Sequence, residues 1–234
     1  MGVHSSGARG EGKTTREINR EIRTLIEASE REVLVLHPGA RHNLGVAILQ
    51  PVMLTFDGSV GYYCAGMIDG PTVVVRGSAG WGVAEGMMSG TVVVDGNAGN
   101  GAAASIRGGT VVVQGDAAAR AGISMKGGTL LILGSTGYMT GFMMQKGDII
   151  VLGDAGEALG DSMYEGRIFV GGRIAELGND AVIKEVAEKD REFLRETLEP
   201  FRVEAERYDF KKVESGRRLW NFDKKEFELW KTAL

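Results

Sequence analysis

Residues 7–14 carry a spacing that phosphate chemistry uses. The run Gly7-Ala-Arg-Gly-Glu-Gly-Lys-Thr14 matches G-x-x-x-x-G-K-[ST], in which backbone N–H groups and a lysine cradle phosphates before a helix. Such a loop must follow a buried strand, yet residues 1–6 offer a single Val where about four apolar residues are needed. We therefore interpret the run as a flexible leader followed by a helix cap, and we expect no nucleotide site there.

Metal and thiol chemistry also have few candidate residues. His37 and His42 lie in one short segment, and only His4 adds a third imidazole, so the pattern is a weak metal signal without a Cys or carboxylate cluster. Cys64 is the single cysteine, which excludes an internal disulfide and a Cys-only cluster built from this chain alone. No base or oxyanion arrangement accompanies it. We expect no catalytic residue, no cofactor-binding residue and no metal ligand in this chain.

Glycine-rich spacings such as Gly77-x-x-Gly80-x-Gly82 suggest dinucleotide binding at first sight. They lack the following helix and the acidic residue about 20 positions later, so structural corners are the better interpretation. Short acidic side chains stand beside turn glycines, where an acceptor stabilises a turn, and they predict no paired-carboxylate site. These are Asp57, Asp95, Asp116 and Asp154. Four methionines recur in one column and are expected to fill the interior rather than line a binding surface. They are Met87, Met125, Met144 and Met163.

The glycines, aspartates and methionines just named belong to a 19-residue repeat that continues without insertion over six periods. Each block reads small/Gly–Thr–Val–Val–Val–x–Gly, and its apolar triplet has the propensity and length of a strand. Seven positions after each closing glycine comes Ala or Gly, and ten positions after the same glycine comes a second apolar residue. The closing glycines are Gly58, Gly77, Gly96, Gly115, Gly134, Gly153 and Gly172.

A unit of this length, with about three short strands and three turns, cannot cover its own apolar face, but stacked units can. The repeat therefore predicts an all-β core: a right-handed single-stranded parallel β-helix of about seven coils over residues 52–172. Residues 1–51 form a leader, a helix and lead-in strands, and residues 173–234 form C-terminal helices and a tail. Glycines are expected at corners, where φ is positive or backbones approach closely.

One apolar column must face outward, because alternation sends the middle residue of each triplet away from the interior. An outward apolar stripe needs a cover, which is either one of the chain's own helices or a partner protein. The expected outward column is Val74, Val93, Val112, Leu131, Ile150 and Phe169.

The flanking segments predict helical caps for the two ends of the solenoid. Thr14 or Thr15 is expected to cap an amphipathic helix over residues 16–29, and residues 33–36 and 46–54 are expected to be strands. A second helix is predicted from about residue 180 to residue 198, ending at Pro200. An extended linker and a last helix near residues 223–233 follow.

Composition excludes several classes of partner. A formal charge of −4 gives no field that favours nucleic acid or an anionic membrane. The chain contains no apolar run of about 18 residues and no signal-peptide pattern at its start. We expect a cytoplasmic protein.

Three segments carry a family resemblance. They are Gly77-Ser-Ala-Gly-Trp-Gly-Val-Ala-Glu-Gly86, Gly122-Ile-Ser-Met-Lys-Gly-Gly128 and Gly153-Asp-Ala-Gly156. They resemble the GXGXG β-helix domain, which ends the large subunit of glutamate synthase and has a relative in a formylmethanofuran dehydrogenase, as its C subunit. The resemblance covers about residues 33–180. The lead-in Pro38-Gly-Ala-Arg-His-Asn-Leu-Gly-Val46 is similar to that of the glutamate synthase branch.

The resemblance implies a non-catalytic scaffold. In glutamate synthase the domain is a strut between the glutaminase and FMN synthase domains and binds no cofactor, and some relatives have those domains as separate chains. The implied partners are a glutaminase (class II amidotransferase) subunit and an FMN-binding synthase subunit, in glutamate biosynthesis and nitrogen assimilation. FMN and an iron–sulfur cluster are expected on the partner subunits. A homo-oligomer is also compatible with the resemblance.

Two alternatives stay open. One is the equivalent scaffold of a formylmethanofuran dehydrogenase, the C subunit named above. The other is a free-standing β-helix enzyme, against which the lack of a His/Asp/Lys cluster in register on one face argues.

Overall fold

The structure, a computed structural model, describes residues 6–219. The predicted helix near residues 223–233 lies outside them. The described chain is built around one sheet, in which parallel strands follow each other in chain order. Its parallel strands are β1 (Ser6–Arg9), β2 (Glu32–Leu36), β3 (Met53–Asp57), β4 (Asp69–Val75), β5 (Ser89–Val94), β6 (Thr110–Val113), β7 (Lys126–Ile132), β8 (Lys146–Val151) and β9 (Arg167–Val170).

The strands β3 to β9 stack in the register that the repeat predicts. Val73 pairs with Val92, which pairs with Val111, so each residue meets its counterpart one period later. The predicted parallel β-helix is confirmed. The expectation of about three strands per coil was wrong, because each coil has one regular strand and single-residue bridges such as Ala79 with Ala98. Turns fill the rest of each coil, and their backbone groups bond to the neighbouring coil.

The stacking extends one coil towards the N-terminus of the predicted repeat. Val33 of β2 pairs with Leu54 of β3, a spacing of 21 residues rather than 19, which hides this coil from a search at constant period. The strand predicted over residues 46–54 was wrong for its first part. Gly45 and Ala47 have positive φ and form a turn there, so the strand begins only at Met53.

The glycines of the two repeat columns have different physical roles. A Cβ added to the closing residue Gly153 would lie 2.5 Å from Ser135 Oγ and 2.8 Å from the backbone of Gly134, so close approach between coils excludes a side chain. Opening glycines have positive φ in addition to close approach, as at Gly90, where φ is 105° and a Cβ would meet the Pro71 carbonyl oxygen. The column of small residues is also left-handed, with Ala84 at φ 60°.

We expect Gly153→Ala to lower the free energy of unfolding by about 1–3 kcal/mol, because its methyl group must separate two coils. Gly66→Ala is the matched control, since the nearest neighbour of a Cβ at residue 66 is 3.4 Å away and its φ is not positive. Urea unfolding followed by circular dichroism measures both variants. Equal losses in the two would contradict the role given to close approach.

A polar ladder follows the closing glycines. Each side-chain oxygen in it accepts the backbone N–H that lies 19 residues later, as when Asp116 Oδ1 accepts from Ser135 N–H at 2.7 Å. Asp116 and Asp154 are acceptors, as predicted, and the backbone N–H groups that they bind belong to the next coil. Asp57 and Asp95 instead interact with Arg76 and Gln114 of the next coil. The ladder consists of Ser59, Ser78, Asn97, Asp116, Ser135 and Asp154.

The interior of the solenoid is mainly apolar, and the hydroxyls of the buried Thr136 and Thr140 hydrogen-bond to each other at 2.7 Å. The first and third residues of the triplets point inward, and the second apolar column fills the opposite side. The methionine column is fully buried, so its predicted role in interior filling is confirmed. At the N-terminal end this interior is covered by helix α1 (Thr15–Glu27), whose Ile18, Ile22 and Ile26 join the core. Thr14 is its N-cap, as predicted.

The C-terminal end departs from the predicted helix over residues 180–198. Its first part is the strand β10 (Ala181–Lys184), and only helix α2 (Glu188–Leu198) is helical. β-Branched Val182 and Ile183 suit a strand, and their partner β11 (Lys211–Ser215) lies in the segment predicted to be a linker. β11 runs antiparallel to β9, so it closes the end of the parallel sheet.

The outward column is largely covered by the chain's own C-terminal segment. Leu194 and Leu198 of α2 pack on it, which confirms a helix of the chain as its cover over part of its length. Val74 and Val93, on earlier coils, are only half-buried. The fully buried members of the column are Val112, Leu131, Ile150 and Phe169.

Candidate partner interface

In the phosphate-loop motif of residues 7–14, the groups that would bind a phosphate donate hydrogen bonds to carboxylates of the protein itself. Contrary to expectation, a strand is present, but β1 overlaps the first residues of the motif. The Thr14 backbone N–H and hydroxyl donate to Glu17 Oε2 at 2.7 and 2.8 Å, and Lys13 Nζ donates to Glu21 Oε2 at 2.5 Å. The preference of this helix start for an anion is therefore met within the chain.

The two described histidines, His37 and His42, lie in different surroundings. His42 Nδ1 accepts a hydrogen bond from the Tyr62 backbone N–H at 2.8 Å, and its ring stacks on the Tyr62 ring with centroids 4.3 Å apart. His37 is exposed and lies 3.9 Å from Glu11. His4 lies outside residues 6–219. Within that range no group of three or more His, Cys, Asp or Glu residues could hold a metal ion.

Cys64 lies in the interior of the solenoid and is fully buried. Burial raises the pKa of the Cys64 thiol, and the backbone N–H of Ala65 offsets this only in part. A neutral, inaccessible thiol is a weak nucleophile. Its role in the fold is that of a small apolar side chain.

A buried ionic cluster holds α2 against the sheet. The fully buried carboxylate of Asp190 accepts from Lys212 Nζ at 2.7 Å, from Arg167 Nη1 at 3.0 Å and from the Ala187 backbone N–H at 3.0 Å. Burial alone would raise the pKa of Asp190, but these donors outweigh it, and the pKa is lowered. Arg167 Nε also donates to Asp148 at 2.6 Å. The matched charges assign this cluster a structural role.

Exposed large hydrophobic side chains are concentrated on early coils. Among the described residues there are ten of them, and seven lie between Leu49 and Met88. Trp81 is 51% exposed and Met67 is 61% exposed, although both are residue types that usually lose contact with water. We name the five on the two coils after Gly58 the aromatic–methionine patch: Tyr62, Tyr63, Met67, Trp81 and Met88.

The rings of this patch are held in place before any partner binds. Tyr62 stacks on His42 and on Trp81, with the Tyr62 and Trp81 centroids 5.1 Å apart. Glycine makes room for them, because a Cβ at Gly80 would lie 2.6 Å from the Tyr62 ring and a Cβ at Gly99 would lie 2.6 Å from the Trp81 ring. Such pre-organised side chains lose little conformational entropy on binding.

The aromatic–methionine patch is not among the sequence-based predictions. Its signal was present, since aromatic residues make up only 7% of the chain and Tyr62, Tyr63 and Trp81 stand in glycine-rich turns. Whether a turn side chain packs inward or outward depends on backbone geometry within the coil, and hydrophobicity alone does not reveal it.

No helix among residues 6–219 combines the length and the apolar character needed to cross a bilayer.

Two known proteins show what the chain is similar to. Protein GlxC of Rhizobium meliloti (strain 1021) is 48% identical over 63 residues, which cover 26% of this chain and 28% of that protein. The aligned segment thus spans about a quarter of the length of GlxC.

A solved structure resembles a larger part of the chain. One chain of the formyltransferase/hydrolase complex (FhcABCD) from Methylorubrum extorquens, crystallised with methylofuran, superposes with a TM-score of 0.61 and 25% identity. The match covers 74% of this chain and 68% of that chain. Since that neighbour belongs to a multi-subunit complex, the likeness supports a subunit role. The profile of the GXGXG motif family matches residues 41–227, which is most of the sequence, and the chain therefore belongs to the GXGXG family.

Proposed function

We propose that this chain is a non-catalytic scaffold subunit of a glutamate-synthase-like amidotransferase/FMN oxidoreductase complex, in glutamate biosynthesis and nitrogen assimilation. The aromatic–methionine patch is the observation that carries the proposal. Tyr, Trp and Met are enriched in the buried centres of protein interfaces, where a few such residues supply most of the binding energy. A rigid solenoid that presents them to solvent is suited to holding other subunits in place.

In this proposal the chemistry belongs to the partner subunits. A glutaminase (class II amidotransferase) subunit releases ammonia, an FMN-binding synthase subunit holds FMN, and an iron–sulfur cluster also lies on the partner subunits. The present chain contributes geometry. Its titratable side chains support this division, because Asp190 is matched by cations and Cys64 is buried in the core.

Purification of the tagged protein from its native cells tests the proposal. Mass spectrometry of the recovered material is expected to identify a glutaminase subunit and an FMN protein. The absorption spectrum of the purified material is expected to show the flavin band. Recovery of neither subunit would overturn the proposed function.

A second candidate function is that of a scaffold subunit in a one-carbon formyl complex. The structural likeness to a chain of FhcABCD supports this candidate. In its formylmethanofuran dehydrogenase form, elemental analysis of the purified complex would find molybdenum or tungsten. Formyltransferase or hydrolase subunits in place of a glutaminase would also favour this candidate.

Trp81→Ala is expected to weaken binding of the partner subunit by about 2 kcal/mol or more, roughly a 30-fold rise in Kd, because it removes the largest ring of the patch. Tyr138→Ala is the matched control, since Tyr138 is 48% exposed and holds the repeat position of Trp81, but lies three coils further along, outside the patch. Surface binding measurements with the purified partner compare the two. A loss of the same size for both variants would show that the patch has no special role.

A further inference from the structure

Three cations stand on successive coils at one corner of the solenoid. Lys126 of β7 pairs with Lys146 of β8 at a shift in the sheet register, so Lys146 stands one residue after Gln145, which holds the repeat position of Lys126. One coil earlier, Arg107 occupies the same repeat position as Lys126, whose backbone N–H donates to the carbonyl of the adjacent Ile106 at 2.8 Å. Neighbouring coils are about 4.8 Å apart, so the three cations lie on adjacent coils at this corner. We name Arg107, Lys126 and Lys146 the basic column.

The charge of the basic column is unmatched within the described chain. Among residues 6–219 no carboxylate forms an ion pair with any of its three cations. Glu165, on the coil after Lys146, forms no ion pair with them either. Like charges opposite each other on neighbouring strands are destabilising. Three other charged pairs on successive coils have opposite signs and form ion pairs: Asp57 with Arg76, Asp148 with Arg167, and Asp154 with Arg173.

The basic column continues the aromatic–methionine patch along the solenoid. Met88 of the patch holds the repeat position 19 residues before Arg107, and the Arg107 backbone N–H donates to the Met87 carbonyl at 2.8 Å. An apolar area and a row of cations therefore adjoin on one side of the protein. A protein partner with an apolar centre and a charged margin matches this arrangement.

We infer that the basic column binds an acidic segment, rich in Asp and Glu, of the partner subunit that covers the aromatic–methionine patch. The inference rests on the proposed subunit function and adds the chemistry of the contact. Carboxylates would neutralise three neighbouring cations that repel each other in the free chain. Nucleic acid fits less well, because phosphate recognition uses a broad basic surface and this chain has a net charge of −4.

The test compares two charge reversals of equal size in the full-length tagged protein in native cells. R107E/K126E/K146E reverses the basic column. R20E/K189E/R202E is the control, because these cations are exposed, lie elsewhere and form no ion pair in the described residues. A carbodiimide, which joins amines only to carboxylates in contact with them, is added before purification, and mass spectrometry locates the cross-links.

The wild-type protein is expected to recover its partner subunit, with Lys126 or Lys146 joined to an Asp or Glu of that subunit. Recovery is expected to fall about tenfold or more for R107E/K126E/K146E and to stay unchanged for the control, since removal of close charge pairs mainly speeds dissociation. Circular dichroism checks that each variant folds. The neutral variant R107Q/K126Q/K146Q should also lose the partner, while its unfolding midpoint equals or exceeds that of the wild type, because repulsion is removed.

The failures of the two proposals are distinguishable. Undiminished recovery with the reversed column overturns this inference and leaves the proposed function standing. Recovery of no subunit by the wild-type chain overturns both. Cross-links only to a second copy of the chain would show self-association and would also overturn the inference. Copurification of nucleic acid that nuclease treatment removes, in place of a partner subunit, would overturn it as well.

Discussion

Asp190→Ala is expected to loosen α2 from the sheet and to lower the free energy of unfolding by about 3–5 kcal/mol, the usual cost of breaking a buried ion pair. The substitution leaves Lys212 and Arg167 without the carboxylate that both contact, and Lys212 is almost fully buried. It also removes the acceptor of the Ala187 N–H at the start of α2. The loss should therefore appear first in this helix.

Urea unfolding and amide hydrogen exchange of residues 188–198 measure the effect of Asp190→Ala. Glu188→Ala is the matched control on the same helix, because Glu188 is exposed and its pair with Arg195 is worth about 0–1 kcal/mol. Solenoids need not unfold in one step, so α2 can detach before the coils unfold. Hydrogen exchange distinguishes these two events because it reports on each segment separately. A variant that unfolds like the control would refute the structural role of the cluster.

The stabilisation that the Asp190 carboxylate provides is expected to depend on pH. Because the pKa of Asp190 is lowered on folding, its contribution to stability is complete above the unfolded value of about 3.9 and is lost as pH falls through the folded value. The difference in free energy of unfolding between wild type and Asp190→Ala should thus stay constant near neutral pH. It should shrink below about pH 4.

Phe169→Ala is expected to lower the free energy of unfolding by about 3–5 kcal/mol, because it opens a cavity in a fully packed site. The Phe169 ring is fully buried beneath α2, 6.0 Å from the Phe193 ring, and the Arg167 guanidinium lies 5.4 Å from its centroid. Urea unfolding measures the loss. A loss below about 1 kcal/mol would mean that α2 is not the cover assigned to the outward column.

A pair of identical substitutions controls for the side chain itself. Val112 and Val74 occupy the same outward column, but only Val112 is covered by the C-terminal segment. Val112→Ala should therefore be clearly more destabilising than Val74→Ala, since the free-energy cost follows the apolar area that folding removes from water. Equal losses would contradict the difference in cover.

The surface features divide the solenoid into two functional regions. Its C-terminal coils are covered by α2 and the segment that follows it, so their outward face is committed to the chain's own fold. Its earlier coils present the aromatic–methionine patch, and the basic column begins beside Met88 and continues onto the starts of β7 and β8. Partner binding is accordingly proposed on the patch and on this column rather than on the sheet face beneath α2.

Much of the fold could be predicted from residue spacing alone. The 19-residue period predicts the coil, the register and the interior columns, because identical units must place identical residues above each other when they stack. Thr14 and Glu17 predict the start of α1 through a contact within four residues. These features depend on neighbours in sequence or on the period itself, so local chemistry determines them.

Only the tertiary structure decided the rest. Val182 and Ile183 fit a helix pattern until β11, some thirty residues later, supplies a strand to pair with. The 21-residue spacing between β2 and β3, the cover over Phe169, the outward Trp81 and the unpaired Lys126 likewise depend on which distant segments meet. Sequence periodicity determines which residues stack, whereas contacts between segments far apart in the chain determine which faces remain free for a partner.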